Sequence, residues 1–165
     1  MAREEQTDKT QAEMRERAWD LAEDIRICMF VTSDDKQQQA RPLDATVKKD
    51  EDAIYFLSDA KGSKISQLKK NPAVTLTFSG SSKFVTMNGT AKVTNDRAKI
   101  KEIWTPTSKA WWDSADDPAI RLVTFSPERA ELWDGPNLVV TAVLMLTAAV
   151  TGAKPKIGDH AKVAI

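Results

Sequence analysis

The sequence is poor in the residues on which most enzyme chemistry rests. Its 165 residues hold one cysteine, Cys28, and one histidine, His160. A single cysteine excludes an internal disulfide and any cysteine-based zinc site. It sits inside an apolar run and reads as a buried, inert thiol. A single histidine in a polar C-terminal stretch leaves little for imidazole acid–base or metal chemistry. No Ser-His-Asp, paired-carboxylate or metal-ligand pattern is present. The acidic pairs Asp34-Asp35 and Asp116-Asp117 lie in turn-like stretches and read as solvated. An excess of one charge is missing too, because 24 basic and 24 acidic side chains are interspersed. With no basic block to replace counterions, nucleic acid is not an expected partner. The most apolar segment, residues 138–150, is 13 residues long, short of the roughly 20 that span a bilayer. The N-terminus is charged and lacks an apolar leader core, so a soluble cytoplasmic protein is expected, with no membrane partner.

What is present centres on residues 54–72, Ile-Tyr-Phe-Leu-Ser-Asp-Ala-Lys-Gly-Ser-Lys-Ile-Ser-Gln-Leu-Lys-Lys-Asn-Pro. The run Ile54 to Leu57 reads as a buried strand. Residues 58–62 are turn chemistry, with Gly62 free to take positive φ. Ser63 stands at a helix N-cap position, Ile65 and Leu68 follow at helical spacing, and Asn71-Pro72 stops the helix. Backbone N–H groups, a hydroxyl and the Lys64 ammonium then converge, a combination suited to phosphate. An ordinary capped helix with a solvated lysine is the alternative. The spacing is not that of a Walker loop.

Along the chain, residues 1–9 read as a flexible polar tail. Thr10 opens a helix with Met14, Ala18, Leu21, Ala22 and Ile25 on one face. Residues 25–33 alternate as a first strand, with Ile25, Ile27, Met29 and Val31 of one parity. Residues 38–49 return as a second, whose Pro42 points to an edge or bulge. Residues 74–78 and 84–94 read as the two arms of a hairpin around Gly80-Ser81-Ser82, with Gly89 marking a bulge or a close backbone approach. Asn95 or Asp96 caps a helix with Ile100, Ile103 and Trp104. A shorter helix with Trp111 and Trp112 follows Thr105-Pro106. Residues 120–126 form a further strand, interrupted at Pro127 and continued to Trp133. A last helix over 138–151 is apolar almost all round, which requires cover from its own domain or a second subunit. Six to seven antiparallel strands with short helices argue for a mainly β (α+β) domain, a small barrel flanked by helices, over residues 10–153. Residues 154–165 read as a polar tail.

Arg41 precedes Pro42 on the second strand. If the second and third strands pair as a hairpin around residues 48–52, Arg41 approaches Ser63-Lys64 and completes a phosphate clamp, the guanidinium as a fork and the ammonium as a point charge. A surface strand residue is the alternative. Five tryptophans are many for this length, and Trp104, Trp111 and Trp112 cluster. Indoles commonly fill cores; near loops they also wall pockets for flat heteroaromatic ligands.

Several tracts in order resemble a known family. They are Ile25-Arg26-Ile27-Cys28-Met29-Phe30-Val31-Thr32, Ala40-Arg41-Pro42-Leu43, Tyr55-Phe56-Leu57-Ser58-Asp59 with Ser63-Lys64, Trp104-Thr105-Pro106 with Lys109-Ala110-Trp111-Trp112, and Glu131-Leu132-Trp133-Asp134. Over roughly residues 18–153 the chain resembles the pyridoxamine 5'-phosphate oxidase-like flavoproteins, and within them the general stress protein branch. The resemblance implies a split β-barrel and a homodimer with FMN at the subunit interface, FAD being the alternative cofactor. It implies a phosphate held at Arg41, Ser63 and Lys64, and a ring system bordered by Pro42, Leu43, Leu57 and Ser58. Trp111 joins that cofactor-binding set, and Trp133 approaches from the partner subunit. The family's vitamer oxidases carry an arginine and a histidine after the tryptophan, where this chain has Gly135-Pro136-Asn137-Leu138-Val139-Val140. Phe84 stands where a glutamine usually faces the flavin. The expectation is therefore an FMN-binding oxidoreductase or flavin carrier without vitamer oxidase activity. The runner-up is a non-catalytic binding protein for FAD, deazaflavin or haem, and a third reading is a flavin-free scaffold dimer.

Overall fold

A computed structural model of the chain describes residues 9–165, the side chain of Leu138 aside. The tail expected over residues 1–9 lies, Lys9 excepted, outside the described residues. Helix α1 (Gln11–Ile25) starts where Thr10 and Glu13 form a reciprocal capping box, which satisfies two otherwise orphaned N–H groups. Its inner face buries Met14, Ala18, Trp19, Leu21 and Ala22. Burial of each large side chain contributes roughly 1.5–3 kcal/mol.

The strands are β1 (Ile27–Ser33), β2 (Gln38–Asp44), β3 (Thr46–Lys48), β4 (Ala53–Asp59), β5 (Ala73–Ser79), β6 (Lys83–Thr94), β7 (Ile120–Asp134) and β8 (Asp159–Ala164). Helices α2 (Ser63–Lys70), α3 (Arg97–Ile103) and α4 (Leu138–Thr151) complete the chain, with short 3-10 turns at Lys49–Glu51 and Pro106–Ala110. All pairings are antiparallel, in the order β2-β1-β5-β6-β7-β4-β3, and β8 pairs with β7 beside that path. The sheet curls into a mainly β split barrel flanked by helices, the expected fold.

The core follows the side-chain period. On β1 the inward residues are Cys28, Phe30 and Thr32, so the parity of Ile27 and Met29 faces out. The Cys28 thiol is buried and its pKa is pushed up to about 12 by desolvation, which makes it inert. β4 has no polar side, as its unbroken apolar run requires. Ile54 and Phe56 enter the barrel core, while Ala53 and Tyr55 join a second cluster with Ile100, Ile103, Ile120 and Leu122 under α3.

Four expectations are corrected. The single strand expected over 38–49 splits at Ala45, whose N–H donates to the Arg26 carbonyl at 3.0 Å and draws the chain inward. The hairpin expected around residues 48–52 forms, but between β3 and β4 only; β2 pairs with β1, so Arg41 lies opposite Phe30 rather than beside the third strand. At α2 the N-cap is Gly62, with φ −64, and Ser63 is the first helical residue. Glycine serves there for proximity, since a Cβ would lie 3.2 Å from the Asp59 carbonyl. Finally, the stretch read as a polar tail contains β8, because Ala161 and Val163 alternate inward between polar neighbours.

The β6–β7 ladder shifts register between Asn88 and Gly89, where β7 passes Pro127. A Cβ on Gly89 would stand 2.1 Å from the Ser126 carbonyl oxygen and 2.9 Å from the Pro127 Cα. Both obstacles are backbone, so neither yields by a rotamer change. Gly89→Ala is expected to destabilise the fold by about 2–4 kcal/mol, read as a lower urea midpoint; an unchanged midpoint would refute the close approach.

Candidate functional site

α2 lies across β1 so that two positions one helical turn apart meet two alternate positions on the strand. Lys64 reaches Phe30, its Nζ 5.9 Å from the ring centroid, and Gln67 accepts from the Thr32 hydroxyl at 2.7 Å. Arg41, opposite Phe30 on β2, extends over the same spot. Its Nη1 donates to Thr32 Oγ1 at 3.0 Å, and its Nη2 donates to Gln67 Oε1 at 3.0 Å and Gln39 Oε1 at 2.9 Å. Neutral acceptors therefore aim the guanidinium. No carboxylate pairs with it, or with Lys64, among the described residues.

Lys64 is only 9% exposed. Desolvation, with the nearby Arg41 charge second, lowers its pKa to about 8 from 10.5. Burial also lowers that of Arg41, which remains charged at any working pH. Two cations held side by side without an anion form a receptor for one. The first-turn N–H groups of α2 point the same way, since the start of a helix leaves them without intrahelical acceptors.

These groups line a cavity of about 610 Å³ that also receives Pro42, Leu43, Leu57, Ser58, Ser63 and Trp111. Eight of the nine side chains expected at a cofactor site thus border one cavity. The ninth, Trp133, lies elsewhere on its own protomer, paired with Phe84 on β6 and stacked at 5.0 Å on His160 of β8. The two acids on the wall are engaged: Asp44 is held bidentately by Arg26, and Asp59 accepts from the Lys61 N–H. The far wall is the segment after α3, with Thr105, Thr107, Ser108, Trp111 and Trp112. Trp111 is 80% exposed at the cavity mouth, whereas Trp104 and Trp112 pack against the second core cluster.

Sequence reasoning missed Thr32 and Gln67, the groups that aim Arg41. Thr32 shares the inward parity of Cys28 and Phe30, and Gln67 falls one turn after Lys64. A polar residue at each of two core positions was the available signal, and only the packing of α2 on β1 joins them. The 105–108 hydroxyls carried no signal, because their place depends on the turn at Pro106–Ala110.

With the cavity defined, comparison with known proteins becomes informative. Residues 13–156 match the sequence model of the family described as pyridoxamine 5'-phosphate oxidase like. The chain belongs to that family. No curated protein matches it at a significant level. Among solved structures, a protein described as general stress protein 26 from Jannaschia sp. CCS1 superposes with a TM-score of 0.79 at 23% identity, covering 94% of this chain and 100% of that one. General Stress Protein 26 from Bacillus anthracis str. Sterne gives 0.68 at 16% identity, covering 73% and 94%. The general stress FMN/FAD binding protein from Xanthomonas citri gives 0.66 at 24%, covering 74% and 89%. At these identities the family's fold is what the structures share.

The buried ammonium has a measurable consequence. In the unfolded chain Lys64 has its ordinary pKa of 10.5, and in the fold about 8. The unfolded state therefore holds the extra proton between those values. The resulting destabilisation is fully present below pH 8 and fades as pH rises towards 10.5. Lys64→Met is expected to raise the stability of the ligand-free protein by about 1–3 kcal/mol at pH 7, with the gain shrinking across pH 8–10.5 in urea titrations. A gain independent of pH would show that the ammonium is not the cause.

Proposed function

We propose that the chain binds FMN in the 610 Å³ cavity and acts in the cytoplasm as a flavin-dependent oxidoreductase or flavin carrier of the general stress type. One observation carries this reading: the buried Lys64 and the partly buried Arg41 stand together, with no carboxylate among the described residues to neutralise them. An arrangement that costs the empty protein stability is repaid when an anion enters. A phosphate monoester matches it, taking a fork from Arg41, a point charge from Lys64 and hydrogen bonds from the α2 start and Ser63. Pro42, Leu43, Leu57 and Ser58 then border the ring system, and Trp111 closes over the mouth. Bound flavin supplies the electron chemistry; the chain's residues bind it, orient it and exclude water.

FMN is favoured over FAD because one basic pair serves one phosphate. Arg26, the other guanidinium on the wall, is already spent on Asp44. Haem is disfavoured, since no histidine, cysteine or methionine lines the cavity. The functional unit in this reading is a homodimer, with Trp133 reaching the site of the partner subunit.

The test compares FMN with riboflavin. Lys64→Ala is expected to weaken FMN binding by about 1.5–3 kcal/mol while changing riboflavin binding little. Equal losses for both would remove the phosphate role. FMN affinity of the unaltered protein is also expected to fall as pH rises above about 8, where free Lys64 loses its proton; flat affinity from pH 7 to 10 would contradict this.

The segment after Trp133 bears on the substrate. Gly135, Pro136 and Asn137 lead directly into α4, where Asn137 caps the helix by accepting from the Val140 N–H at 3.0 Å. Residues 135–140 carry no cation to pair with a second phosphate, the nearby Arg17 and Lys83 are paired with Asp134, and an unpaired dianion is costly to desolvate. The flavin-loaded protein is expected to produce no peroxide from pyridoxamine 5'-phosphate above its buffer background; sustained production would overturn this.

A further inference from the structure

Arg41 and Lys64 are the charges of the cavity wall that no acid of the described chain answers. A guanidinium has five N–H donors. Three of those on Arg41 are engaged, one by Thr32 and the Nη2 pair by Gln39 and Gln67. The other two, on Nε and Nη1, have no acceptor among the described residues. Lys64 Nζ has neither a hydrogen bond nor an ion pair among them; it lies 5.9 Å from the Phe30 ring centroid. The acids on the same wall do not reach it, because Asp44 is held by Arg26 and Asp59 by the Lys61 N–H.

An amine in this place is more than a fixed charge. Lys64 is the one buried lysine among the described residues; every other is exposed or half-buried. Burial beside Arg41 favours the form without the proton, and the pKa falls to about 8. A desolvated lysine that carries no proton is a nucleophile. It faces a cavity of about 610 Å³, so a small electrophile has room to reach it. It also stands next to a cation with donors to spare, so a product that leaves negative charge on Nζ is favoured over one that leaves it neutral.

We infer that Lys64 is a site of reversible carbamylation by carbon dioxide, and that the carbamate pairs with Arg41 in the place a phosphate ligand takes. The Nζ lone pair attacks the carbon of carbon dioxide. An N–C bond forms, one C–O π pair moves onto oxygen, and the proton lost from Nζ passes to water. Nothing is oxidised or reduced. The side chain changes from cation to anion, so two repelling charges become an ion pair inside the same wall. Carbon dioxide is small and uncharged, and its entry requires no charge to be stripped of water. Return to the amine needs a proton at the carbamate nitrogen, which the neighbouring guanidinium opposes. The consequence for flavin rests on the phosphate reading of this site. Carbamylation takes up the free Arg41 donors and removes the Lys64 charge, so carbon dioxide and a phosphate monoester compete.

The test uses full-length, ligand-free protein equilibrated with isotope-labelled bicarbonate and carbon dioxide. Ethylation by a trialkyloxonium salt fixes any carbamate as its ester, and peptide mass spectrometry locates it. Label is expected on Lys64, with about tenfold less or lower on any exposed lysine, and Lys64→Met is expected to lose it. Arg41→Gln is expected to reduce the Lys64 label by about tenfold or more, through loss of the charge-assisted pair. If circular dichroism shows that variant misfolded, Arg41→Lys replaces it, which keeps the charge but not the fork and is expected to retain part of the label. Absence of label on Lys64, equal label on exposed lysines, or a Lys64 label unmoved by either Arg41 variant would each overturn the proposal. Added FMN is expected to suppress the label; FMN that binds and leaves the label at its full level would overturn it too. A chain that labels at Lys64 but binds no FMN refutes the flavin reading alone.

Discussion

The proximity of Lys64 on α2 and Arg41 on β2, both at Phe30, is the arrangement around which the site is built. Two like charges in a largely dehydrated place repel each other and lose hydration, so the barrel must hold them together against their own preference. It does so with neutral groups. Thr32 and Gln67 are buried, bonded to each other, and both accept from Arg41. Had an aspartate filled either position, the guanidinium would be neutralised and the anion receptor lost. Relief of that repulsion and lost hydration favours an anion at this place.

That proximity depends on the order of strands more than on any local motif. Arg41 and Lys64 belong to β2 and α2, which meet because β2 folds back on β1 and α2 crosses the same strand. The remaining wall comes from the other limb of the open barrel, through Leu57 and Ser58 of β4. The segment after α3 brings Trp111 and Trp112. β7 holds the two ends of this arrangement in register. Its first half pairs with β4 beside the cavity, and its second half pairs with β8, to which apolar α4 connects it. The close passage at Gly89 lets so long a strand accommodate Pro127 without losing its partner β6. Packing from the cavity to the root of α4 is therefore continuous through one strand.

Much of this was determined by the sequence alone. The capped α1, the buried β4 run, the bulge at Gly89 and the bounds of α4 follow from local chemistry: capping residues, period, and a glycine among strand residues. The cavity side chains Arg41, Ser63, Lys64 and Trp111 were legible as residue types suited to a phosphate and a flat ring. Tertiary structure decided which strand Arg41 pairs with, because the break at Ala45 depends on a hydrogen bond to Arg26, a residue nineteen positions earlier. It also decided the inward parity of β1, since both parities carry apolar residues and only the arrival of α1 and α2 selects one. Thr32 and Gln67 became part of the site by the same packing. β8 was hidden for a related reason: a strand of six residues with only Ala161 and Val163 turned inward has little signal until β7 offers it an edge. Local propensity determines elements, whereas the meeting of two cations across 23 residues of chain, about 76 Å of contour at roughly 3.3 Å per extended residue, is settled only when the sheet closes around them.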